Sequence, residues 1–234
     1  MTANSSIIQK SVLILDTLAA ARHPMGFAAL RSATGLTKAT AHRLLSILQA
    51  EGMVHYDRKA RSYAVGMRIV EWSAAAIRSM SVIGSARHRM EKLSRALGEH
   101  ISLAVLEGHS LVYVAGIEGN HDAPVMSSIG LRRPYHVNAC GKAIVAFLPD
   151  LQREMLIDTT AFEALGPNTL TRPDQLRHVL EEVRLRGYAT ASLEDALAAH
   201  AVAVPIFDFT AAPVAALTSW CPDHRGSLAT VEAH

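Results

Sequence analysis

Two groups of side chains early in this chain have the types and spacing to act on nucleic acid. The first lies in Thr37-Lys38-Ala39-Thr40-Ala41-His42-Arg43. Ala41, Leu44, Leu45 and Leu48 recur at helical spacing and turn Lys38, Thr40, His42 and Arg43 outward. On a helix seated in a major groove, such side chains reach base edges, with Arg43 on a base or a phosphate. The second group is Arg58, Lys59 and Arg61, in the polar turn Asp57-Arg58-Lys59-Ala60-Arg61 between the strand-like runs Val54-His55-Tyr56 and Ser62-Tyr63-Ala64-Val65. Three cations in so short a turn suit phosphates or a minor groove.

The elements that would position these residues are legible around them. Phe27, Leu30 and Ala33 lie three apart and predict a short helix with one apolar face. Gly35 follows at a position where a left-handed backbone is least costly. Thr37 can cap the next helix by accepting a free N–H of its first turn. Two helices about a tight glycine turn make a helix-turn-helix, and the basic hairpin after them makes it winged. The plainer alternative is a helical hairpin whose charges are merely solvated. Ahead of it, apolar residues at 8, 12, 15 and 19 predict an amphipathic first helix over about 7–21, and Pro24 and Gly26 mark a loop.

A length of 234 residues accommodates two domains. Half the chain is hydrophobic but only 5% is aromatic, so the cores must be largely aliphatic. The net charge of +2 hides an asymmetry: residues 1–70 hold nine Lys and Arg against three acids, and the rest hold 14 against 18. A basic module on a mildly acidic one fits a nucleic-acid binder joined to something else, and leaves a pure protein adaptor without a use for the basic face. Cys140 and Cys221 are too few for a disulfide framework. Asp16 interrupts the one run resembling a signal peptide, and no run reaches membrane-span length, so the chain is expected to be cytoplasmic.

Beyond the hairpin, a helical pattern over 67–84 predicts a linker. Ile83, Ala86, Met90, Leu93 and Leu97 then form a narrow seam, either a dimer contact or a cover for the next domain's sheet. After Gly98 the period becomes two: 101–106 and 111–117 predict a strand pair, and 125–129 a third strand. Helices are predicted over 141–148 and 151–157, and from Pro173 to a stop at Gly187, with final strands over 202–207 and 214–219. The mixture is α+β.

The chain resembles, over essentially its whole length, the IclR family of bacterial transcription regulators. The resemblance is carried by Gly35-Leu36-Thr37-Lys38 with His42-Arg43-Leu44-Leu45, by Leu48-Gln49-Ala50-Glu51-Gly52-Met53-Val54, by Gly130 with Arg132-Arg133-Pro134, by Ala139-Cys140-Gly141-Lys142-Ala143, by Thr169-Leu170-Thr171, and by Arg184-Leu185-Arg186-Gly187-Tyr188-Ala189. It implies a winged helix-turn-helix DNA-binding domain over 1–66, a linker helix over 67–84, and a GAF-like effector-binding domain with an antiparallel sheet over 85–234. It also implies homodimers or dimers of dimers on a double-stranded DNA operator, and a small organic effector, often a carboxylic acid. No cofactor is implied.

Effector contacts in the family match Ala139, Cys140, Ala191, Ala201, Thr218 and Trp220. Several positions depart from its pattern. Ala191 stands where an acid is common, and Trp220 where a small residue is. Arg133 precedes Pro134 where an apolar residue is usual. The stretches 193–200 and 210–212 lack the family's glycines, and few residues follow Pro222 where a final helix is usual. Free N–H groups at a helix start attract anions, and Gly141 opens a predicted helix. A carboxylate effector, aromatic or not, is therefore expected at Cys140–Gly141, with Arg133 beside it and its apolar part on Trp220. Two rival chemistries use other residues. Cys140 near His136 suggests a cysteine-dependent enzyme, though no third orienting group is apparent. His200, Cys221, His224 and Cys140 suggest a metal sensor, though their spacing matches no standard cluster.

Overall fold

A computed structural model describes residues 6–120, 129–196 and 198–233, with the backbone alone at Arg78 and Ser79. The chain divides between Ser79 and Met80 into two units. The division falls at a break between helices inside the predicted 67–84 linker.

The first unit runs α1 (Ile7–Ala20), β1 (Met25–Gly26), α2 (Phe27–Thr34), α3 (Lys38–Ala50), β2 (Val54–Asp57), β3 (Ser62–Val65) and α4 (Met67–Ser79). Gly35 ends α2 with φ +64°, and Thr37 caps α3 by accepting the Thr40 N–H at 3.3 Å. Leu30, Ala41, Leu44, Leu45 and Leu48 form one aliphatic core with Ile14, Leu18 and Val54. Two expected faces differ. Helix α1 buries Ile14 and Leu18 and leaves Ile8 74% exposed, because apolar residues lie on nearly all its sides. Helix α2 buries Thr34 in place of Ala33; the Thr34 hydroxyl donates to the Leu30 carbonyl at 2.8 Å, which satisfies it inside the core. Strand β1, not expected from the sequence, pairs with β3, giving a three-stranded sheet in the order β1-β3-β2.

The second unit holds α5 (Ser81–Leu97), β4 (His100–Glu107), β5 (Ser110–Ile117), β6 (Arg132–Pro134), α6 (Ala139–Ala146), α7 (Asp150–Asp158), α8 (Pro173–Arg186), β7 (Ala189–Ser192), β8 (Ala199–Phe207), β9 (Pro213–Pro222) and α9 (Leu228–Glu232). Its strands form one antiparallel sheet in the order β6-β5-β4-β9-β8-β7. Side chains alternate between two cores. Ala104, Leu111, Tyr113, Ala203 and Ala216 face α6 and α8, while Ile101, Leu103, Val114 and Ala215 face Ala86 and Met90 of α5. The seam on α5 therefore covers the sheet. The expected strand over 125–129 falls at residues 125–128 outside the described residues, and the third strand on this side is β6. A short helix, α9, does follow Pro222, burying Val231. Where the glycines were missing, the backbone keeps left-handed turns without them: Leu193, Ala198 and Ala211 have φ of 56°, 45° and 63°.

Candidate functional site

In the first unit, Thr37, Lys38, His42 and Arg43 are exposed and Thr40 half-buried, all within the first two turns of α3. Thr37 and Thr40 are tied together, hydroxyl to hydroxyl, at 2.9 Å. The His42 ring stacks on Phe27 of α2 at 4.1 Å, so it is held in place and is not a free arm. In the wing, the Asp57 carboxylate accepts the N–H groups of Lys59 and Ala60 at 2.8 and 3.1 Å, and these bonds hold its carboxyl below the usual range. That turn shapes the loop and leaves Arg58, Lys59 and Arg61 exposed, without an ion pair among the described residues. Arg61 does so at φ 51°, a conformation that favours glycine. Behind α3, Arg68 of α4 bonds both the Glu51 carboxylate (2.8 Å) and its carbonyl (2.9 Å), tying the start of α4 to the end of the helix that carries Lys38.

In the second unit a cavity of ≈ 40 Å³ lies between the sheet and the start of α6. Its floor is a row across three strands, Ala191 beside Ala201 beside Trp220, with Thr218 one step along β9. Small alanines there leave space that larger side chains would fill. Trp220 stacks on the His100 ring at 4.7 Å, and Thr218 donates its hydroxyl to the Val202 carbonyl at 2.9 Å. Apart from Thr218, the polar lining consists of residues the sequence did not single out: Tyr113, Asn138, Glu194 and Asp195. Asn138 was within reach of sequence reasoning, as an N-cap residue before Ala139-Cys140-Gly141. Its amide donates to the Tyr113 hydroxyl at 2.8 Å, and burial pushes that phenol's pKa up.

Ala139 reaches the cavity, but Cys140 and Gly141 do not. The Cys140 N–H is already capped by the Asn138 side chain at 2.9 Å, and its thiol points to the Ala216 carbonyl at 3.9 Å. A Cβ on Gly141 would lie 2.2 Å from the Tyr135 carbonyl, so this glycine serves close packing. The expected anion seat at Cys140–Gly141 is therefore filled by the chain itself. Arg133 does not line the cavity; it pairs at 3.3 Å with Asp195, which does. Next to it, Lys142 is fully buried, with both Glu194 oxygens 2.7 Å from its Nζ. Burial pulls the Lys142 pKa down even with Glu194 attached. A wider groove, ≈ 250 Å³, opens on the opposite face beside Leu93, Leu97 and Val231, but it lacks this convergence of charged groups.

The rival chemistries lose their geometry. Burial pushes the Cys140 thiol up to about 12, far from a nucleophile's range. His200 is held between Ser192 (3.0 Å) and Asp223 (2.8 Å), and among the described residues no three His, Cys, Asp or Glu side chains gather as a metal site.

A winged helix-turn-helix with free cations, joined to a helix-flanked sheet enclosing a polar-lined cavity, defines the class of ligand-responsive DNA-binding regulators. Residues 8–58 match the IclR helix-turn-helix domain, and residues 74–227 match the C-terminal domain of bacterial transcriptional regulator IclR. The chain belongs to the IclR family of bacterial transcription regulators. It is 30% identical to the HTH-type transcriptional regulator XynR of Escherichia coli, over 90% of this chain and 84% of that one. It is also 30% identical to the glycerol operon regulatory protein of Streptomyces coelicolor, over 93% and 85%. Both are transcriptional regulators, not enzymes. Among solved structures, an IclR homolog from Microbacterium hydrocarbonoxydans complexed with 4-hydroxybenzoate matches with a TM-score of 0.80 at 25% identity, over 97% of this chain and 93% of that one. Among the described residues no helix is long and apolar enough to cross a membrane.

Proposed function

We propose that this regulator binds a double-stranded operator as a cytoplasmic homodimer or dimer of dimers, and that a small carboxylic acid, aromatic or not, sets its affinity. The observation that carries the reading is the pairing of an exposed α3 start with three exposed wing cations. Lys38, Thr40 and His42 read bases, Thr37 holds that turn, and Arg43 meets a base or phosphate. Arg58, Lys59 and Arg61 hold phosphates. The effector occupies the cavity over Ala139, Ala191, Ala201, Thr218 and Trp220, with its carboxylate toward Arg133. The complex of a relative with 4-hydroxybenzoate supports this ligand class. Residues 67–84 act as the linker between domains 1–66 and 85–234, and the grip of Arg68 on Glu51 supports a role for α4 in transmission. A tenfold change in DNA affinity requires about 1.4 kcal/mol of difference in ligand binding between two arrangements.

Fluorescence anisotropy with DNA from upstream of the protein's own gene and its neighbours, against scrambled competitor, tests this. Tight binding that survives competitor is expected. Lys59→Ala is expected to weaken binding on all sequences alike and flatten the salt dependence by about one charge. A changed sequence preference would show instead that the wing reads bases, and folded protein that binds no DNA at any salt concentration would overturn the reading.

A further inference from the structure

Two successive acids, Glu194 and Asp195, line the cavity, and each holds a cation, but not in the same way. Glu194 is anchored: Lys142 Nζ lies 2.7 Å from both its oxygens, and the Thr169 hydroxyl donates to its carbonyl at 2.6 Å. Asp195 is held loosely. Its Oδ2 lies 3.3 Å from Arg133 Nε, an ion-pair distance, yet that buried N–H makes no hydrogen bond among the described residues. Its other oxygen accepts the N–H of the exposed Ala196 at 2.6 Å. On either side, Leu193 and Ala198 sit at positive φ, a conformation that costs an L residue on the order of 1–3 kcal/mol. The cavity beneath, ≈ 40 Å³, has room for a few waters; a cavity that takes up benzene is about 150 Å³.

Building on the reading that the cavity takes a carboxylate, we propose that Asp195 is an internal competitor for Arg133, and that the effector binds by exchanging its carboxylate for the Asp195 side chain. The exchange conserves charge at the guanidinium: one carboxylate leaves as another arrives, so no half-buried cation is stranded. The displaced carboxylate has water within reach beside Ala196. Its departure also opens the space an aromatic ring needs. A neutral isostere cannot make the exchange, since nothing compensates Arg133 for the loss of Asp195. Glu194 and Lys142 stay in place throughout, as the fixed wall against which the exchange takes place.

The test is calorimetric titration of the full-length protein and its Asp195→Asn variant with benzoate, and with benzamide as the neutral isostere. Asp195→Asn is expected to bind benzoate about tenfold more tightly than wild type, the scale of one charge-assisted hydrogen bond. Benzamide binding is expected to stay weak in both. Circular dichroism and thermal denaturation confirm that the variant is folded, and Asp195→Ser serves as a second variant if it is not. Benzoate binding that is equal in wild type and variant overturns the competition and leaves the carboxylate reading standing. Weaker binding in the variant shows that Asp195 holds ligand, and also overturns it. Benzamide binding wild type as tightly as benzoate overturns the carboxylate reading itself, and no benzoate binding to either protein overturns both.

Discussion

The wing turn and the effector cavity both rely on lysine and arginine, and they keep them in opposite states. In the wing, Arg58, Lys59 and Arg61 stand in water with no acid attached among the described residues, so their charge is available to a polyanion and costs little to maintain. Around the cavity, Lys142 and Arg133 are withdrawn from water and matched to Glu194 and Asp195. Removing a charge from the wing weakens a distant partner; removing one from the cavity strands its neighbour. The same residue types thus serve affinity in one place and integrity in the other.

Lys142→Met should show the largest effect. It leaves Glu194 buried without its cation and should destabilise the second unit by about 3–5 kcal/mol, with most of this recovered when Glu194→Leu is added. Lys59→Met in the wing should stay within about 0.5 kcal/mol of wild type. Denaturant unfolding measures both, and similar losses in the two would break the comparison. Arg61→Gly should sharpen it. Glycine relieves the left-handed backbone and should stabilise the fold by about 0.5 kcal/mol, net of its own flexibility. DNA affinity should nonetheless fall, with the salt slope shallower by about 0.9. Ala211→Gly is the smallest case and the control: a similar gain of about 0.5 kcal/mol in thermal denaturation, with unchanged DNA binding.

What was legible in the sequence was what depends on near neighbours. Helix α3 announced itself through Gly35, Thr37 and the Leu44, Leu45 and Leu48 stripe, because caps and helical period act over a few residues. The buried face of α1 was not, since Ile7, Ile8, Val12, Leu13, Ile14 and Leu15 leave several faces equally apolar, and only packing chooses among them. Strand β7, Ala189-Thr190-Ala191-Ser192, has little strand propensity and exists because β8 pairs with it. The cavity's polar lining was the least legible part. Lys142 and Glu194 meet across 52 positions, and no local rule joins them. Of the positions that the family resemblance gave, Ala139, Ala191, Ala201, Thr218 and Trp220 line one space, while Cys140 and Gly141 lie outside it, at a helix start that Asn138 already caps.

Strand β5 carries a feature with evolutionary weight. Tyr113 pairs with Ala104 and Ala115 with Leu103, so Val114 is an extra residue with no counterpart on β4. Before it, Leu111 and Tyr113 face the α6 layer; after it, Ala115 and Ile117 face α5. One extra residue thus shifts the strand's phase, so that Tyr113 and Ala115, two apart in sequence, face opposite sides of the sheet. Drift in chain length should therefore be tolerated unevenly. The β8–β9 hairpin tip around Phe209, which is fully exposed, can gain or lose a residue without rotating anything buried. Losing Val114 would close the ladder with Tyr113 still opposite Ala104 and Ala115 still opposite Leu103, so no face would turn over; losing a paired residue such as Val112 would instead set Leu111 and Tyr113 on opposite sides, so lineages that keep both cores should shorten this strand only at the bulge.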